Sequence, residues 1–422
     1  MRGGRGGGPG GAESGEPGGA DPRAAHGSAT YRRALIALFC AGLATFAQMY
    51  SPQGILPDLA RDFGVTAGTS SWAVGATTIG VALGVIPWAR ASERLGRIAT
   101  MRLSMSIALV IGLIAPAIPS FSVFLAARFV EGVALAGLPA LAVTAIAEIV
   151  RPQALGAAVG TYIAGTTIGG LIGRIVAGTV ADWAGHTGAG WRLGMAAVAA
   201  LAAVATVVFL IRIPPAAVRR PAPLPMLAAL ADNLRNPGVL ALVAQAFLLM
   251  GGFVAAYNYL AFRLQGEPFG LTLAQVSWLF LAYLAGAVSS RWVWRIARRV
   301  PPTGVLLGCI GLMLAGLGLT LLPWLPAVIL GLVLFTGGFF GAHSIASGLI
   351  DRRAGAGRVL APPLYNLGYY AGSSLLGWLG GVAFAAGGWG ATAAMIAVSA
   401  LAAAALALLI RPRGAVVSDF GS

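Results

Sequence analysis

Phe63-Gly64-Val65-Thr66, followed four residues on by Ser71-Trp72, returns as Phe269-Gly270-Leu271-Thr272, followed four residues on by Ser277-Trp278. The offset is 206 residues, about half of this 422-residue chain. A second echo lies at offset 207: Ala164-Gly165-Thr166-Thr167-Ile168-Gly169-Gly170-Leu171-Ile172-Gly173 is answered by Ala371-Gly372-Ser373-Ser374-Leu375-Leu376-Gly377-Trp378-Leu379-Gly380. Two matches at nearly one offset read as a unit duplicated head to tail. In a membrane protein such a duplication points to transport.

The composition is that of a membrane protein. Hydrophobic residues make up 58%, charged residues 10%, and the mean hydropathy is +0.84. A soluble domain carries about 25% charge. Twelve apolar spans are expected, at 34–56, 70–90, 101–119, 121–147, 155–181, 190–213, 238–260, 274–297, 303–323, 326–350, 360–386 and 388–410. Each is long enough for a helix of about 20 residues to cross a bilayer. The expected fold is therefore an all-α membrane protein, twelve transmembrane helices in two pseudo-symmetric six-helix bundles. The domains read as a disordered Gly-rich tail over 1–30, a first bundle over 31–213, a Pro-rich linker over 214–237, a second bundle over 238–410, and a tail over 411–422. Leu224–Leu234 reads as a short interfacial helix. The first apolar run is too long for a cleavable leader and is expected to stay as an anchor.

All 28 basic residues are arginine. With the N-terminus placed in the cytoplasm, 23 of them fall on the inner side, three outside (Arg61, Arg192, Arg263) and two within spans (Arg128, Arg174). This is the positive-inside pattern. It puts both termini in the cytoplasm, and it accounts for the net charge of +15 without a nucleic-acid partner. Cys40 and Cys309 lie far apart in apolar spans, with no metal-ligand spacing. No Walker A loop, catalytic constellation or cofactor motif is present, so an enzyme is not expected and no cofactor beyond a proton gradient is implied.

Four patterns carry the chemistry. Ala89-Arg90-Ala91-Ser92-Glu93-Arg94-Leu95-Gly96-Arg97, between spans 2 and 3, resembles the G-x-L-A-D-R-x-G-R-K loop of the major facilitator superfamily. Arg128-Phe129-Val130-Glu131-Gly132 in span 4 resembles that family's R-x-x-Q-G motif, with Glu131 for Gln. The Gly165, Gly169, Gly170, Gly173 run in span 5 resembles the Gly-rich motif C of drug/proton antiporters, with Arg174 in place of its last Gly. Tyr257-Asn258-Tyr259-Leu260 and Gly341-Ala342-His343-Ser344-Ile345-Ala346-Ser347-Gly348 also resemble the drug/proton antiporter branch and the sugar (arabinose)-efflux-type permeases. The resemblance covers residues about 32–410. It implies two bundles rocking about a central cavity in a bacterial inner membrane, as a monomer moving a small molecule, with proton-coupled efflux favoured over proton symport or facilitated uptake. A membrane sensor is disfavoured, because no soluble signalling domain is visible.

The resemblance implies that the loop latches the two halves, with Glu93 as the acid and Arg94, Gly96 and Arg97 as its neighbours; the alternative is a merely topogenic basic loop. In the spans, charge is expensive and points to function. Arg128 and Glu131 are three apart and share a helix face. Arg174 should lie at similar depth. Two readings stay open: a cluster of Arg128, Glu131 and Arg174 with Glu131 as the proton-coupling acid, or a fixed Arg128–Glu131 pair with Arg174 left for substrate. Gly165, Gly169, Gly170 and Gly173 suit close helix packing and a seal between the halves. Gln48, Tyr50, Gln53, Asn258, His343, Tyr365, Asn366, Tyr369 and Tyr370 suit the lining of a cavity for an uncharged or amphipathic ligand. Tyr257 and Tyr259 read either as cavity residues or as interface-belt aromatics. His343 reads as a second protonation site or as an interhelical hydrogen-bonding group. The first half thus carries the charges and the second half the aromatics.

Overall fold

The computed structural model describes residues 23–185, 189–215, 226–354 and 360–409. Six helices form the first half: α1 (Ala29–Gly54), α2 (Ala67–Leu95), α3 (Arg97–Ala117), α4 (Phe121–Ile149), α5 (Pro152–Trp183) and α6 (Gly190–Arg212). A ten-residue helix, Met226–Arg235, then leads into α7 (Pro237–Gln265), α8 (Leu273–Ile296), α9 (Pro302–Leu319) and α10 (Leu325–Arg353). The last helical stretch, Ala361–Leu409, is 49 residues long, or about 74 Å at 1.5 Å per residue. That is more than twice the roughly 30 Å hydrocarbon core. Gly387 and Gly388 break it with non-helical backbone. The Thr392 hydroxyl donates back across the break to the Gly380 carbonyl at 3.1 Å. The stretch is therefore two crossings, α11 (361–386) and α12 (389–409), and the total is twelve.

The repeated sequence has a mechanical explanation. Gly64 and Gly270 both adopt left-handed φ, +62° and +58°, a conformation nearly free only for glycine. Gly64 follows the end of a short helix, Leu56–Asp62, and Gly270 closes the turn after α7. Two residues later Thr66 and Thr272 cap the next helix, accepting from the amides of Thr69 at 3.1 Å and Gln275 at 3.3 Å. Thr272 completes a full capping box with Gln275. The duplicated signal is thus a turn between the first and second helices of each half.

Lipid supplies no hydrophobic force between helices, so close approach must. A Cβ on Gly165, Gly169 or Gly173 would collide with the carbonyls of Phe39, Leu43 and Ala47 on α1. In the second half, Gly368 and Gly372 lie the same way against Val243 and Phe247 of α7. The glycine stripe thus welds α5 to α1 within one half. It does not form the expected seal between halves, and Gly170 is not part of the weld. Large apolar side chains such as Leu83, Val110, Val204 and Val288 face outward.

The buried clusters show where the halves meet. At the end bearing the arginine-rich loops, one cluster holds Ala34, Leu38, Met105 and Ile146, and a separate one holds Val239, Leu242, Ile350 and Tyr365. Neither contains a residue of the other half. At the opposite end the clusters interleave. Leu171 belongs to the second-half core, while Leu273 and Tyr370 belong to the first-half one. There Thr78 and Ser374 hydroxyls meet at 2.7 Å, and Gly381 lies backbone to backbone against Gly68. Among the described residues the two halves share buried clusters at the arginine-poor end and keep separate ones at the arginine-rich end.

The described residues begin inside the stretch read as a tail. Ala24 bridges to Val150, its amide donating to the Ile149 carbonyl at 2.8 Å. Residues 1–22, the linker residues 216–225 and the tail 411–422 lie outside the described residues.

Candidate functional site

The first centre grows from Ser51-Pro52. Proline has no N–H, so it cannot serve the carbonyl four residues before it. The helix tightens into a 3-10 turn over Ser51–Gly54. The carbonyls of Gln48 and Met49 accept instead from Arg128 Nη2, both at 3.0 Å. Arg128 Nε donates to the Ala73 carbonyl at 3.2 Å, and Nη1 to Glu131 Oε2 at 2.5 Å. One guanidinium thereby fastens α1, α2 and α4. Gly132, next to Glu131, lies so close to the Thr77 carbonyl that no Cβ would fit, which seats α4 against α2.

Glu131 is fully buried. Its Oε1 has no hydrogen-bond partner, and neither has Gln48 Oε1. Both oxygens converge on Gly112 of α3. A Cβ there would collide with Gln48 Oε1 and stand 3.1 Å from Glu131 Oε1. The Gln48 amide nitrogen is committed to the Ala44 carbonyl at 3.2 Å, which orients its oxygen toward this spot. Two buried acceptors without a donor are an unfavourable arrangement, each forfeiting the hydrogen bonds it made to water. Gln48 thus belongs to this centre.

The second centre surrounds Arg174. This residue is 3% exposed. Its Nε donates to Gln53 Oε1 at 2.7 Å and its Nη1 to the Gly170 carbonyl at 2.6 Å. Its guanidinium lies 4.3 Å from the Tyr50 ring, 4.8 Å from Tyr283 and 5.2 Å from Phe280. Arg174 therefore does not join Arg128 and Glu131 in one cluster. The arrangement has the geometry of the other reading, an Arg128–Glu131 pair with Arg174 apart. Equal depth along a span does not fix the direction a side chain points.

From Arg174 an aromatic row leads toward the arginine-rich end. Tyr370 packs in one cluster with Tyr50. Tyr369 lies 5.3 Å from Tyr370 and 5.0 Å from the His343 ring. The Tyr365 hydroxyl meets His343 Nδ1 at 2.9 Å. Asn366 is exposed, one turn before Tyr369 and Tyr370 on the same helix face. Gln53 Nε2 donates to Asn258 Oδ1 at 2.7 Å, joining the two halves directly. Tyr257 and Tyr259 are not belt aromatics: they are buried, bonded to Thr336 at 2.6 Å and to the Gly377 carbonyl at 2.7 Å. The sequence reading missed Phe280 and Tyr283; a tyrosine well inside span 8 was the available signal.

The loop residues take a different arrangement from the expected latch. Glu93 and Arg94 are exposed at the arginine-rich end, and among the described residues Glu93 forms no ion pair. Arg97 pairs with Glu148 at the end of α4, within the same half. No cluster of His, Cys, Asp or Glu able to hold a metal occurs among the described residues.

Twelve long apolar helices in two halves around a polar and aromatic centre are the architecture of a multi-pass membrane protein. The Major Facilitator Superfamily matches residues 35–361, and the chain belongs to it. It is 35% identical to the MFS-type transporter YybF of Bacillus subtilis (strain 168) over 89% of this chain and 93% of that one. It is 35% identical to the inner membrane transport protein YnfM of Escherichia coli (strain K12), over 92% of this chain and 91% of that one. In fold it is similar to a bacterial homolog of the human lysosomal transporter Spinster, solved inward-facing and unoccupied. The TM-score is 0.68 at 17% identity, over 91% of this chain and 95% of that one.

Proposed function

We propose that the chain is a secondary active transporter that exports a small organic molecule by proton antiport, seated in a bacterial inner membrane with both termini in the cytoplasm. The observation that supports this best is Glu131: a buried carboxylate with one oxygen on Arg128 and the other without a hydrogen-bond partner, beside Gly112. In this reading the arginine-rich end faces the cytoplasm, as the positive-inside rule directs, and the separate buried clusters there make this the inward-facing state. The resemblance of the glycine run in α5 to motif C favours export.

The proposed coupling runs through the end of α1. Gln48 and Met49 hold Arg128 with their carbonyls, while Tyr50 and Gln53 hold Arg174 and, through Asn258, the second half. Rocking of the halves breaks the Gln53–Asn258 bond and moves the 3-10 turn between them. That shift changes the acceptors around Arg128, and so the affinity of Glu131 for its proton. Proton entry would supply about 2.3 kcal/mol per 100 mV, together with the pH gradient.

The test uses everted membrane vesicles, acid inside, after a compound screen of cells with and without the gene. Export by antiport loads the vesicles with substrate, and a protonophore abolishes the loading. Glu131→Gln should abolish gradient-driven loading while substrate counterflow continues. Loading that stays proton-coupled in Glu131→Gln would overturn the assignment; substrate release on acidification would indicate symport.

A further inference from the structure

The charge at the centre of the molecule does not sum to zero. Arg128 and Glu131 neutralise each other. The other ion pairs among the described residues, Arg61–Asp58, Arg97–Glu148 and Arg192–Asp62, sit at the ends of the bundles. Arg174 is left buried within α5 with neutral partners alone among the described residues: the Gln53 amide oxygen, the Gly170 carbonyl and the Tyr283 side chain. An ion taken from water costs several kcal/mol, and neutral dipoles and ring faces return only part of it. A chain that keeps such a charge in a membrane keeps it for something.

We infer that the transported substrate is an organic monocarboxylate with an aromatic or similarly flat body, its carboxylate bound by Arg174 and its body lying beside Tyr369 and Tyr370. This rests on the transporter reading above and names the substrate class of the same site. A carboxylate suits a guanidinium by charge and by planar two-oxygen geometry. Aromatic rings offer it amphipathic faces. Cations are disfavoured on two counts. They would meet an uncompensated positive charge, and the ring faces that attract cations are already occupied by Arg174 itself, at 4.3 Å from Tyr50 and 4.8 Å from Tyr283. A neutral ligand would leave the charge as it stands. The pseudo-symmetric position in the second half is Gly381, which lies against the backbone of Gly68 and has no room for a side chain. The anion site is therefore single and off the pseudo-symmetry axis.

The experiment uses the full-length protein in lipid nanodiscs, with matched probes: benzoate, 1-naphthoate and indole-3-acetate, their three amides, and 1-naphthylmethylamine. Binding is read by tryptophan fluorescence and calorimetry, and transport by counterflow in proteoliposomes. Each bound carboxylate should exceed its amide by about tenfold or more, the worth of a charge-assisted hydrogen-bonded pair. Arg174→Gln should abolish that preference and Arg174→Lys should retain part of it. If the Gln variant does not fold, the carboxylate-to-amide ratio in the wild type decides alone. Amides or the amine bound or transported as well as the carboxylates would overturn the anion site while leaving the transporter reading intact. So would carboxylate preference surviving in a folded Arg174→Gln protein. If no probe of any class binds at millimolar concentration and none is transported, the anion site falls, and the vesicle screen judges the transporter reading separately.

Discussion

Gln53 and Asn258 hydrogen-bond across the two halves at 2.7 Å, and the same Gln53 side chain accepts from Arg174 through its oxygen at 2.7 Å. One amide thus spends its donor on the second half and its acceptor on the buried cation. Breaking a buried hydrogen bond and stranding its partner costs about 1–3 kcal/mol. Asn258→Leu strands the Gln53 donor and weakens the closed arginine-poor end. Spin labels at Ser122 and Glu267, in a background without Cys40 and Cys309, should report a shift toward wider separation. The open population should rise about tenfold. An unchanged distance distribution would mean that the bond does not hold this end shut.

Gly112 tests the Glu131 centre without touching its charges. A methyl group at this position collides with Gln48 Oε1 and presses on Glu131 Oε1. Gly112→Ala must push Gln48 aside, and overpacking of a tight interior costs about 1–3 kcal/mol. The expected result is a lower midpoint in thermal unfolding, together with weaker proton dependence of transport. A variant with wild-type stability and wild-type coupling would show that the two facing oxygens are incidental.

Much of the architecture was legible because it depends on local chemistry. The turn Phe-Gly-x-Thr announces itself through a left-handed glycine and a threonine cap, and the twelve crossings through length and hydropathy. The burial of Arg128, Glu131 and Arg174 inside helices followed from their place in apolar spans. What that place could not give was direction around the helix axis. Gln48 and Gln53 are five residues apart on α1, about 140° around a helix axis, and serve different centres. Arg174 turns toward α8 of the other half, where Phe280 and Tyr283 receive it. Such meetings between halves leave no trace in local spacing. The division of charges to one half and aromatics to the other holds for composition, but the two sets meet at one place.

The loop between α2 and α3 separates two acids by role. Glu148 is the partner of Arg97, with the two side chains 12% and 20% exposed. Glu93 is exposed and unpaired among the described residues. Glu148→Gln should lower stability by up to about 1 kcal/mol, the range for a partly exposed pair, seen as a small drop in thermal midpoint. Glu93→Gln should leave that midpoint unchanged in this state. If Glu93 fastens the loop when the arginine-rich end closes, its replacement should slow turnover alone. Equal midpoints and equal turnover in Glu93→Gln would remove the latch role.

Neighbouring glycines in α5 should respond in opposite ways to one methyl group. Gly169 faces the Leu43 backbone of α1, which cannot retreat without moving the helix. Gly170 faces Arg174 Nη1 at 3.2 Å, the far end of a long side chain. Gly169→Ala should therefore destabilise the first half by about 1–3 kcal/mol, measured as a lower thermal midpoint in detergent. Gly170→Ala should leave the midpoint nearly unchanged, because the guanidinium can shift by a few tenths of an ångström. It should still weaken substrate binding, since that shift disturbs the contact of Nη1 with the Gly170 carbonyl and the seat of the guanidinium on Tyr50. A stability loss shared equally by both variants would show that Gly170 also serves helix packing. A binding loss confined to Gly170→Ala would place Arg174, and not the α1–α5 weld, at the substrate.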